Sequence, residues 1–169
     1  MSDEIRTTAE LVEDHHLPRA RVVHSDPDAP ESAEQKPLPE GVKRKPVDQK
    51  SPAEWAYERL ILYIKNFEEQ LDSEHEIAMG FTGGNAGVLR IEGVGYFDPD
   101  IVTFYGTDEH GTRTQLVQHV SQLSVMLRAL PKPSPEVKAK RIGFRLASDL
   151  EDPAPDPSSQ GDLAGDSAG

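Results

Sequence analysis

No cysteine occurs among the 169 residues. That excludes disulfides, a thiolate nucleophile and thiolate metal ligation, and it suits a reducing compartment. Long apolar runs are missing as well. No stretch approaches the roughly 20 residues of a membrane-spanning helix, and the acidic start Met1-Ser2-Asp3-Glu4 has no apolar segment behind it. Neither a membrane contact nor a signal peptide is expected, and the expected location is the cytoplasm. Catalytic signatures are lacking too. The glycine-rich loop at residues 82–87 has neither the Lys-Ser/Thr ending of a P-loop nor the spacing of a dinucleotide fingerprint. There is no nucleophile elbow, kinase motif set or HExxH. Of the six histidines, His15 and His16 are adjacent, which is not metal-ligand spacing, and His110 stands in a turn. No catalytic residue, metal site or cofactor is expected.

Aromatic residues are scarce, ten in all, and nine of them fall between Trp55 and Tyr105. Proline shows the reverse pattern: eleven of fourteen lie outside residues 51–131. Aromatics bring the largest apolar area per residue, whereas charged, proline-rich stretches bury too little to offset the entropy of ordering. The expected organisation is therefore a disordered tail at 1–50, a folded module at 51–131, a linker at 132–148 and a disordered acidic tail at 149–169. A module of this size is marginally stable alone and gains from docked tails or self-association. Of the net charge of −12, the module contributes most, with five basic groups against twelve acids. Phosphate binding needs Lys and Arg, so RNA is disfavoured as a partner.

Within the module, Ser51-Pro52-Ala53-Glu54 has the form of a capping box with proline at the first helical position. Ala56, Leu60, Ile64, Phe67 and Leu71 then recur at helical spacing, widened by Tyr57 and Tyr63, which predicts a helix to about residue 71. Trp55 and Leu62 fall on the opposite face, a candidate surface for self-association or for a partner or tail. Strands follow at 77–81, 88–97 and 101–105. Gly93 and Gly95, on the face of Leu89 and Ile91, mark a bend in the long strand. Residues 112–130 read in two ways. Leu116, Val120, Leu123, Leu127 and Leu130 suit a helix stopped by Pro131. The absence of any charge across 114–127 suits two short strands. Beyond Pro131, residues 137–146 form a basic-apolar stretch that could dock as a strand with Ile142 and Phe144 as anchors.

The run from residue 54 to 131, with GYFDPDIVTFYG at 95–106, LVQHVSQLSVML at 116–127 and RIGF at 141–144, resembles a family of uncharacterised alphaproteobacterial proteins and brings no function with it. The succession of capped helix, strand, Gly/Asn loop, long bent strand, strand and a pair around a histidine is similar to the Sm-like family of the RNA chaperone Hfq. That resemblance implies a ring whose late Tyr-Lys-His motif helps to bind uridine-rich RNA. Here Val117-Gln118-His119 occupies the place and only His119 matches, so Gln118 and His119 are the candidate ligand-facing pair. The fold class expected is α+β, a capped helix followed by a strongly bent antiparallel sheet, as a small Sm-like barrel or as α-β-β-β-α. The function expected is a non-catalytic binding or scaffolding module that forms homo-oligomers and engages a protein partner through its tails or the Trp55 face. An Sm-like RNA-binding oligomer is the alternative.

Overall fold

Helix α1 (Pro52–Glu69) starts where the sequence signals it. Ser51 accepts the Glu54 N–H at 3.1 Å, but the reciprocal half of the capping box is not made, because the Glu54 carboxylate turns to Lys45 at 3.1 Å. The start of α1 is instead stitched to the turn after the long strand. The Ser51 hydroxyl donates to Asp98 and the Ala53 N–H to the Pro99 carbonyl, which satisfies a backbone donor that a helix start leaves open.

In this computed structural model residues 18–82 and 87–151 are described. The expectations for residues 1–17, the loop tip at 83–86 and the acidic segment 152–169 lie outside them.

Five strands follow α1: β1 (His75–Phe81), β2 (Val88–Phe97), β3 (Ile101–Thr107), β4 (Arg113–His119) and β5 (Val125–Pro131). They form one antiparallel sheet in the order β4-β3-β2-β1-β5. The α+β expectation holds; the sheet is bent but open, not closed into a barrel. The α-β-β-β-α alternative falls, since residues 112–130 form two strands joined by a 3-10 turn at Val120–Gln122. That turn explains the misleading helical spacing. It shifts the side-chain parity between the strands, so Leu116 and Leu127 on the strands and Val120 and Leu123 at the turn all reach the core.

The bend in β2 sits at a register shift between Ile91 and Gly93. An extra residue reverses which face later side chains take. Leu89 and Ile91 point inward before it, and Val94 points inward after it, opposite the fully buried Phe104. Gly93 and Gly95 therefore lie on the outer face, not with Leu89 and Ile91 as the simple alternation predicts. Tyr105 lies across both: a Cβ on Gly93 would come 3.4 Å from its ring, and one on Gly95 would come 2.6 Å from the Thr103 hydroxyl.

The main core lies between α1 and the inner face of the sheet. The predicted stripe delivers Ala56 and Ile64 fully and Leu60, Phe67 and Leu71 partly, against Ile77, Met79, Leu89, Ile91, Val102 and Phe104. Tyr63 does not widen this face. It is 40% exposed and its hydroxyl donates to Glu34.

A second cluster occupies the back of α1, where Ile61 is fully buried against Val42, Ala147 and Leu150. Residues 18–50 run along this face with a helical turn at Glu40–Lys43, and the segment beyond residue 142 forms helix α2 (Gly143–Glu151) rather than a strand. Composition assigns both flanks to tail and linker because neither holds enough apolar residues to fold alone. They are ordered by sharing one surface, to which each brings a few side chains. Burying Ile61 contributes roughly 1.5–3 kcal/mol. The N-terminal flank is fixed by a buried ion pair: Lys50 Nζ lies 2.7 Å from Glu58 Oε2 and 2.6 Å from the Val42 carbonyl.

Two expectations follow. Gly95→Val forces Thr103 and Tyr105 aside and is expected to cost about 1–3 kcal/mol in chemical denaturation. Lys50→Met strands Glu58 and is expected to cost about 3–5 kcal/mol, most of it restored by adding Glu58→Leu. Burial already raises the Glu58 carboxyl above its ordinary value, with Lys50 opposing the shift. A carboxyl raised on folding holds its proton more tightly in the native state, so its contribution to stability falls as pH rises through the raised value. Without Lys50 the shift grows. The single variant should therefore lose more stability than the parent as pH rises above the ordinary carboxylate range, as read from thermal melts.

Candidate interaction surfaces

Strands β4 and β5 are the two edges of the sheet, and among the described residues no segment pairs with their outer sides. Each is seven residues long. Edge strands of soluble proteins are commonly blunted by charge, proline or bulges. Here residues 114–127 carry no formal charge, and only Arg113 and Arg128 stand on these strands, with Pro131 at the end of β5. Val117 on β4 is 59% exposed and Met126 on β5 is 51% exposed.

Gln118 and His119 are neighbours on β4, and strand alternation sends them to opposite faces. Gln118 turns inward opposite Val102, its Oε1 buried with no hydrogen-bond partner among the described residues. His119 faces outward. Its Nδ1 accepts the Ser121 N–H at 3.1 Å, capping the 3-10 turn, and its Nε2 lies 3.2 Å from Asp100. With Nδ1 accepting, Nε2 carries the proton and donates to the carboxylate. The two side chains do not converge on a ligand, and His119 ties the β4–β5 turn to the β2–β3 turn.

The basic-apolar stretch docks on two buried carboxylates. Glu68, near the end of α1, accepts the Ile142 N–H at 2.9 Å and the Gly143 N–H at 2.7 Å. Those are open donors at the start of α2, where negative charge is favoured. Glu76 accepts the Lys140 N–H at 2.8 Å and pairs with Arg90 at 2.8 Å. The Arg141 guanidinium donates to the carbonyls of Asp72 and His75, both at 2.6 Å. Ile142 is an anchor, 8% exposed, but Phe144 is not, at 78%. The cause is helical phase: from Gly143 onward the inward positions are Ala147 and Leu150, and Phe144 lies two residues past Ile142, on the far side. Gly143 is needed for the approach, since a Cβ there would come 2.8 Å from the Lys65 Cα.

Trp55 and Leu62 line a groove between the back of α1 and residues 18–39. It consists of two adjoining cavities of about 560 and 360 Å³ that share Leu62 and Leu38. Lys50 and Arg59 lie over the Trp55 ring at 4.8 and 5.1 Å. The structure places Trp55 and Leu62 together and Ile142 and Phe144 elsewhere. Arg59 and Asn66 continue the Trp55–Leu62 stripe at helical spacing and were legible in principle. Arg19 and Arg21, which line the same groove, left no signal.

Residues 46–145, more than half of the chain, match the model of a protein family described as a family of unknown function (DUF6173). No curated protein and no solved structure matches the chain.

Glu68→Ala leaves two buried N–H groups without an acceptor, at about 1–3 kcal/mol each. The expected result in hydrogen exchange is faster exchange of the amides of Ile142 and Gly143 and through α2, with β1 to β3 keeping their protection. Equal slowing or speeding across the sheet would mean that α2 does not open by itself.

Proposed function

The chain belongs to this family of unknown function, and we propose that it is a non-catalytic binding module that self-associates by pairing the β4 edge of one copy with the β5 edge of the next. The two edges, unpaired among the described residues and nearly uncharged, carry this reading. An edge-to-edge contact between copies is heterologous and closes into a ring when the rotation per copy allows. A two-fold contact at either edge alone leaves the other open, so pairing of unlike edges is the arrangement that covers both. The pairing would also cover Leu116 and Leu127, which are only partly buried within one chain. The groove at Trp55 lies on the opposite side of α1 from the sheet and stays free for a protein partner.

An Sm-like RNA-binding ring is the second reading. The order of capped helix and bent five-stranded sheet favours it, as do the same two edges. The acid excess of residues 51–131 counts against it, and so does the separation of Gln118 from His119 onto opposite faces.

Sedimentation of the intact chain is expected to give a mass several times 18.6 kDa. Val117→Lys with Met126→Lys, both outward positions, should reduce it to the monomer without changing the circular dichroism. A monomeric parent chain ends the self-association reading. Tight binding of uridine-rich RNA that is lost in His119→Ala would favour the second reading over the first.

A further inference from the structure

The groove on the back of α1 has a chemistry out of keeping with the rest of the chain. In a protein of net charge −12, three arginines, Arg19, Arg21 and Arg59, line its larger cavity. None of them forms an ion pair with a described residue. The other ionic side chains at that end are already engaged: Glu34 with the Tyr63 hydroxyl and Lys36 with Glu69. The smaller cavity is lined by Asn66, which is about nine-tenths buried and whose side-chain oxygen has no hydrogen-bond partner among the described residues. A buried amide left unsatisfied is costly and calls for an explanation. Leu38 and Leu62 form an apolar floor common to both cavities.

We propose that this groove binds an extended acidic peptide segment of a partner protein. The arginine forks match carboxylates in bidentate geometry. An amide, with both a donor and an acceptor, matches a peptide main-chain unit, and the leucine floor accepts a small apolar side chain between them. A lone small anion would use the arginine end and leave Asn66 unexplained. A nucleic acid is the poorer fit, because the indole of Trp55 already has Lys50 and Arg59 over it and serves as a wall rather than as a platform for a base. The inference rests on the reading of the chain as a binding module and names its partner's chemistry. It does not depend on the strand edges, so solution mass tests one and peptide titration the other.

Trp55 is the only tryptophan and stands in the groove as an internal reporter. The test titrates a fluorescein-labelled peptide of alternating Asp and Ala residues into the intact chain, following anisotropy and Trp55 emission together. The expected result is saturable binding that shifts the emission, weakens with salt, and is absent for the matching Lys-Ala peptide. Arg21→Gln, at an exposed site, and Asn66→Ala are each expected to weaken binding about tenfold, the effect of one charge-assisted or buried hydrogen bond. Circular dichroism of both variants confirms that they fold. No binding, or binding unchanged in both variants, overturns the proposal. Displacement of the peptide by inorganic phosphate at similar concentration would make this a simple anion site, and tighter displacement by uridine-rich RNA a nucleic-acid site; either overturns it. Binding seen only after Asp152, Asp156, Asp162 and Asp166 are changed to Asn would assign the groove to the chain's own acidic segment and overturn the partner reading.

Discussion

Three glutamates within the helix and sheet, Glu58, Glu68 and Glu76, are buried in the folded chain, and their partners come largely from outside that module. Lys50 reaches Glu58 from the N-terminal side, while backbone donors of residues 140, 142 and 143 reach Glu76 and Glu68 from the C-terminal side. Only Arg90, on Glu76, is local to the sheet. A carboxylate buried without partners loses its hydration for nothing in return, so the flanks and the module are obliged to fold together. The family match, residues 46–145, includes Lys50 and residues 140–143.

This changes the meaning of the module's acidity. Counted along the sequence, twelve acids against five bases look like a repulsive surface. In the fold, part of that charge is internal and acts as acceptor for the flanks. What remains outside still opposes phosphate. Arg19, Arg21 and Arg59, by contrast, line the larger cavity on the back of α1, outside the sheet.

The two faces of α1 divide the work. The inner face closes the sheet into a core. The outer face holds the flanks, with Ile61 at its centre, and leaves a groove where they do not meet. Because the sheet does not close on itself, its edges at β4 and β5 are unpaired among the described residues.

The main helix, its serine cap, its apolar stripe and three of the strands were legible because they depend on local chemistry: capping, period 3.6 and β-branched or aromatic runs. The neutrality of residues 114–127 suited strands while the leucine spacing suited a helix equally, and the oddity of Trp55 with Leu62 marked the back face. The rest required distant residues to meet. The bulge after Ile91 reversed the faces of Gly93 and Gly95, since parity along a strand holds only while the register does. The 3-10 turn at Val120–Gln122 gave two strands a helical spacing. Whether the flanks were tails or structure was decided by Glu58 and Glu68, acids with nothing local to distinguish them from solvated ones. Composition determined where a core could form; only the tertiary structure decided which charges would be inside it, because burial of a charge depends on partners that the chain brings from dozens of residues away.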